Sequence, residues 1–131
     1  MQRKYRTALA ALAGAALGAA AMQGLNAQQT KALPAYVISN IDVTDPALYK
    51  KFAQAVPATL VPYHAHYLVR GGETMIFDGA PPKRIMVIAF HNLDDAERWR
   101  ASPEYQNIRP IQQQSFRYIE HFAVEGLPVA N

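Results

Sequence analysis

The chain contains no cysteine among its 131 residues. That absence excludes a disulfide framework, a thiolate metal site, a Cys-x-x-Cys-His haem attachment and a cysteine nucleophile together. Acidic residues are missing before Asp42, whereas Arg3, Lys4 and Arg6 stand at the very start. Beyond the first 27 residues, ten basic side chains face ten acidic ones, so the formal net charge of +3 belongs to the leader. A neutral remainder offers no electrostatic footprint for nucleic acid or for an anionic membrane. Also missing are a Gly-x-x-x-x-Gly-Lys phosphate loop, a Gly-x-Ser-x-Gly elbow and a His-Glu-x-x-His pair, which removes the commonest signatures of nucleotide, serine-hydrolase and zinc chemistry. What is present is 50% hydrophobic residues, enough to build the core of one ordinary domain.

The leader accounts for most of the asymmetry. After the basic start, Ala8 to Met22 is an Ala-rich apolar run with Leu9, Leu12 and Leu17. It is shorter than the roughly 20 residues a membrane-spanning helix needs. Residues 1–27 therefore read as a cleavable signal peptide, cut after Ala27 or Ala21. Gly14 and Gly18 have the spacing that packs helices in lipid, but small residues are ordinary in such a leader. No stable membrane anchor is expected, and the protein is expected to be periplasmic or secreted. Residues 28–34 read as a flexible arm and 35–127 as the folded domain.

Ala35 to Val43 is rich in β-branched residues and reads as a strand, with Tyr36, Ile38 and Asn40 on its even face and Val37, Ser39 and Ile41 on its odd face. Asp45-Pro46 is a helix start, since Asp45 can cap free N–H groups and Pro46 suits the first turn. Leu48, Phe52, Ala55 and Val56 continue with helical spacing, and Pro57 is expected to kink or end this helix near Val56, with room for a second short turn to Val61 before Pro62 stops it. His64 to Arg70 reads as a second strand with His66, Leu68 and Arg70 on one face, closed by Gly71-Gly72. Thr74 to Asp78 reads as a short strand. Arg84 to His91 is almost continuously apolar, as in a central strand buried on both faces. Asn92 or Asp94 starts a helix carrying Ala96 and Trp99, Ser102-Pro103-Glu104 starts another, and Arg117 to Glu125 is the last strand, with Tyr118, Phe122 and Val124 assigned to one face.

This order is β-α-β-β-α-β, the ferredoxin-like arrangement of the α+β class: an antiparallel sheet with its helices on one face. A domain of about 100 residues has nothing left to cover the other face. A second copy of the same sheet is the economical cover, which predicts a homodimer with a small-molecule site enclosed between the sheets.

Ile41-Asp42-Val43-Thr44-Asp45-Pro46 with Tyr49, Leu68-Val69-Arg70-Gly71-Gly72, the strand Ile85 to Phe90 and Ser102-Pro103-Glu104-Tyr105-Gln106 together resemble the domain-of-unknown-function 1330 family. The resemblance spans about Tyr36 to Gly126 and departs from the pattern at Pro57 and Pro62. It implies the fold and assembly of the dimeric α/β-barrel superfamily. It implies no established reaction.

Chemistry can rest on few side chains. His66 and Arg70, placed on one strand face, make His66 the candidate general base, because its ordinary pKa falls near neutrality. Arg70 can clamp a carboxylate bidentately or serve as a structural pair. Tyr36 and Asn40 can supply a hydroxyl and an amide to the space between sheets. Tyr105 and Arg109, four apart on a helix, share a face and can line its mouth. His64 and His66 are two apart, which on a strand suits two ligands of one metal, but His64 follows Pro62-Tyr63 and can still belong to the loop, and no third ligand is near in sequence, so ordinary edge positions are the preferred reading. The residues call for no metal and no particular cofactor. The function expected is a small enzyme acting on a small organic acid, with a non-catalytic ligand-binding dimer as the alternative.

Overall fold

The computed structural model describes residues 33–130, so the signal peptide and most of the arm read from the sequence lie outside the described residues. Four strands, β1 (Ala35–Val43), β2 (His66–Arg70), β3 (Arg84–Phe90) and β4 (Phe116–Glu125), form one sheet in the order β2-β3-β1-β4. Every adjacent pair is antiparallel. Strands β1 and β2 thus run the same way with β3 between them, as the split β-α-β arrangement requires. Three helices, α1 (Pro46–Leu60), α2 (Leu93–Ala101) and α3 (Pro103–Ser115), complete the domain, with a short 3-10 turn at Val61–Tyr63. Among the described residues no helix is long and apolar enough to cross a membrane.

Local chemistry sets the helix starts. The Asp45 carboxylate accepts from the Leu48 N–H at 3.1 Å. Asn92 accepts from the Asp95 N–H at 2.8 Å. Ser102 accepts from the Tyr105 N–H at 3.2 Å, and its backbone is extended, so α2 and α3 meet at a corner rather than fusing. The backbone N–H groups of Thr44 and Asp45 both donate to the Ser115 carbonyl, at 2.9 and 3.0 Å, which fastens the start of α1 to the end of α3.

All three helices lie over one face. The core there comprises Val37, Ile41, Met86, Ile88, Phe90 and Phe116 from the strands, meeting Phe52, Val56, Leu60, Trp99 and Tyr105 from the helices. Tyr105 is fully buried. Trp99 packs against Phe90 and Tyr105 at ring separations of 5.5 and 4.7 Å, and its indole N–H donates to the Thr59 hydroxyl at 2.9 Å. The polar end of a large apolar ring is thereby satisfied inside the core.

Four expectations need correction. The helix α1 does not stop at Pro57 but runs through it to Leu60. A proline there removes the N–H that the Ala53 carbonyl would receive. The Arg70 guanidinium replaces it, donating to the Ala53 carbonyl at 2.7 Å. Thr74 to Asp78 is not a strand but part of the loop between β2 and β3. It lies beyond the pairing of those strands and finds no partner ladder. His64 is not in β2 but in a left-handed turn at φ 51°. The fourth correction concerns faces. Register shifts occur where Leu68 and Ile119 are each an extra residue against the neighbouring strand. A bulge of one residue transfers everything beyond it to the opposite face. His66, level with Ala89, therefore stands on the open face, while Arg70, level with Met86, stands under the helices. Tyr118 likewise joins the covered face, whereas Phe122 and Val124, level with Ile38 and Tyr36, stay on the open one. Of the two glycines closing β2, Gly71 adopts positive φ, at 60°, and the Arg84 side chain passes where its Cβ would be, so only glycine suits that point.

Candidate functional site

Polar side chains converge on the covered face where β1 and β4 pair. Ser39, which alternation points inward, is level with His121 on β4, and the Ser39 hydroxyl shares a hydrogen bond with His121 Nδ1 at 2.8 Å. The imidazole stacks on the Tyr118 ring at 3.9 Å with planes 16° apart. The Tyr118 and Tyr105 hydroxyls share a further bond at 2.9 Å. Two phenols joined this way use one proton between them and leave the other to donate elsewhere.

Electrostatics fix the protonation states. Burial, with the nearby Arg100 charge, lowers the His121 pKa from 6.5 to about 4, so the ring is neutral near pH 7. Burial and the Tyr105 phenol push Tyr118 far up, and burial raises Tyr67 to about 12. Both remain hydrogen-bond donors throughout the physiological range.

Two spaces meet at this cluster. The first is a cavity of about 30 Å³ between sheet and helices, bounded by Ser39, Tyr49, Tyr67, Met86, Tyr118 and His121 among others. It holds a water-sized molecule and no organic one. The second is an outer cleft of about 640 Å³ between α2, α3 and β4, where Arg100, Gln106 and Arg109 meet Leu93, Trp99 and Phe122. His121 and Trp99 belong to both walls. The arrangement can present a neutral imidazole to a molecule in the cleft while phenol donors face the space behind it.

The residues singled out from the sequence are divided by the sheet. Tyr105 closes the inner cavity, and Arg109 lines the outer cleft. Arg70 lies near the rim of the inner cavity, its guanidinium 4.9 Å from the centre of the Tyr67 ring, and is engaged with the Ala53 carbonyl. His66 is exposed on the open face, apart from Arg70. Tyr36 stands on that same face beside Gly126. The Asn40 side-chain oxygen accepts from the Lys83 N–H at 2.9 Å, a structural tie between β1 and the approach to β3. His64 stacks with His91, ring centres 5.9 Å apart, rather than aligning with His66. No three His, Asp or Glu side chains gather to hold a metal among the described residues.

Sequence reasoning missed Ser39, Tyr67, Arg100, Tyr118 and His121 as a group. Alternation alone puts Ser39 inward on β1. Its pairing with His121 depends on the β1–β4 register, which no local signal in the sequence supplies.

A family model described as a domain of unknown function (DUF1330) matches residues 34–127. No curated protein matches the chain. Among solved structures, a protein of unknown function from Rhodopseudomonas palustris is similar, with TM-score 0.57 and 8% identity over 84% of this chain and 93% of that one. HapK from Hahella chejuensis gives TM-score 0.53 and 16% identity over 74% and 96% of the two chains. SnoaB from Streptomyces nogalater, described as a cofactor-independent oxygenase, gives TM-score 0.50 and 12% identity over 75% and 97%. At such identities the likeness is one of fold.

Proposed function

The chain belongs to the family of the domain of unknown function DUF1330, and from that premise we propose that it is a small acid–base enzyme that removes a proton from a small organic compound held in the outer cleft. The observation that carries this reading is His121. It is a largely buried imidazole, kept neutral, fixed at Nδ1 by Ser39 and standing in the wall common to cleft and cavity. In the tautomer that donates Nδ1–H to Ser39, Nε2 carries the lone pair and acts as base. The spare proton of the Tyr105–Tyr118 pair serves a water in the inner cavity or an oxygen that reaches it. This moves the base from His66, which faces the open side of the sheet, to His121. The description of SnoaB as a cofactor-independent oxygenase is compatible with the reading. An oxygenase without a cofactor must raise electron density on the substrate itself, and deprotonation does so.

The assembly and location proposed with it are an exported homodimer. The support is the leader composition and the open face, where Phe122 and Val124 are about half exposed beside Ile38, Val69 and Val87.

The test is catalysed hydrogen–deuterium exchange at acidic C–H positions, followed by proton NMR across small phenols and 1,3-dicarbonyl compounds. The expected result is exchange above buffer that falls by about 100-fold or more in His121→Gln, with an acid limb near pH 4. Binding without exchange, or exchange that His121→Gln leaves intact, returns the protein to the non-catalytic ligand-binding reading.

A further inference from the structure

The outer cleft contains two guanidinium groups that no carboxylate neutralises. The ion pairs among the described residues join Arg98 to Asp95 and Arg117 to Asp42. Arg100 and Arg109 take part in neither, although both line the cleft. Arg109 is half-buried, and its Nε–H is fully buried with no acceptor. A buried charged donor without a partner is costly. The Arg100 guanidinium itself packs over the Tyr105 ring, 4.6 Å from its centre. Its backbone carbonyl accepts from the Gln106 side chain at 2.9 Å, which links α2 to α3 across the cleft. One carboxylate, Glu97, also lines the space.

We infer that this cleft is a carboxylate subsite, in which Arg109 and Arg100 grip the carboxylate of a small flat organic acid and its apolar body lies against Leu93 and Ala123. The inference rests on the reading of His121 given above and names the substrate class for that site. Guanidinium N–H groups match the two oxygens of a carboxylate in one plane. Glu97 disfavours a more highly charged anion such as a phosphate, whereas one negative charge set against two guanidiniums tolerates it. The apolar part of the lining, Leu93 and Ala123, suits a flat aromatic or conjugated body on that acid. Bound there, the acid has its ring within the space that His121 also borders.

Calorimetric titration of the full chain with benzoate and with benzamide tests the subsite, because the two probes share a ring and differ in charge. Benzoate is expected to bind about tenfold or more tightly than benzamide. Arg109→Met erases that preference, while Arg109→Lys, which keeps the charge and loses the planar fork, retains part of it. Should Arg109→Met melt without cooperativity, Arg100→Gln makes the same comparison and is expected to reduce the preference several-fold. Equal binding of the two probes, no saturable binding of either, or an undiminished benzoate preference in both variants overturns the subsite. His121→Gln separates the two readings. Benzoate preference that survives in His121→Gln supports the subsite whether or not exchange is ever found. Exchange that depends on His121 without any benzoate preference leaves the base standing and removes the subsite alone.

Discussion

Ile38 and Ser39 are neighbours on β1, yet one stands on the open face of the sheet and the other under three helices. The covered face carries the rings, the hydroxyl pairs and both spaces described above. Among residues level with Ile38, the open face carries Val87 and Phe122 and no polar network. Burial explains the division. Removal of water is the largest cause of the shifts at His121, Tyr118 and Tyr67, and only the helices remove it from this chain by itself. The open face buries nothing until something covers it. The same backbone thus provides a chemical side and an adhesive side, and alternation along the strand is enough to assign most residues to one or the other.

Two substitutions sharpen this contrast. On the covered side, Trp99→Ala removes the packing against Phe90 and Tyr105 and leaves the Thr59 hydroxyl without its donor. A loss of about 3–5 kcal/mol in urea unfolding is expected, independent of protein concentration. On the open side, Ile38→Asp is expected to alter the stability of the isolated chain by about 1 kcal/mol or less. It should weaken association of the proposed homodimer by roughly 30-fold or more, as a charge at the centre of an apolar interface does. Sedimentation velocity across a dilution series reads this directly. An association state that Ile38→Asp leaves unchanged removes the proposal that a second copy covers this face.

Next in size is the pH dependence that His121 contributes. In the folded chain its pKa is about 4, against an ordinary 6.5. Between these values the unfolded chain binds a proton that the folded chain refuses. Stability from this group is therefore complete above pH 6.5 and falls as the pH drops towards 4. The largest loss that the two values allow is about 3 kcal/mol. Chemical denaturation at pH 7, 5.5 and 4 should show the fall, and His121→Gln, which keeps a hydrogen-bonding side chain and cannot titrate, should flatten this part of it.

The fold was legible because its signals are local. Caps at Asp45, Asn92 and Ser102, alternation along β1 and the apolar run of β3 each act within a few residues of themselves, and the family resemblance rests on those same segments. The site was less legible because it depends on register. Leu68 and Ile119 look like ordinary strand residues, but each is an insertion against its neighbour strand. Counting by twos through them puts Arg70 on the face of His66 and Tyr118 on the face of Phe122, and the structure separates both pairs. The composition around Leu68 and Ile119 does not announce a bulge, because both side chains suit a strand. Tyr105 and Arg109, four apart in α3, border different spaces: Tyr105 closes the inner cavity and Arg109 lines the outer cleft.

Arg70 supplies the smallest and most discriminating test, because it can be a ligand clamp or a structural cap and the two roles respond differently to a proline far from any ligand. Pro57 leaves the Ala53 carbonyl without its helical donor, and Arg70 donates to that carbonyl at 2.7 Å. Arg70→Met alone should cost about 1 kcal/mol or less, the order expected of an exposed hydrogen bond. Pro57→Ala returns an N–H to the helix at the position that bonds Ala53. In that background the carbonyl has a second donor, so Arg70→Met should cost measurably less. The double-mutant cycle is expected to show coupling of about 0.5–1 kcal/mol between two residues in different elements. Additive costs would mean that the guanidinium does not compensate for the proline. The role of Arg70 would then lie with the Tyr67 ring beneath it, and the expectation that Pro57 disturbs α1 would recover its force.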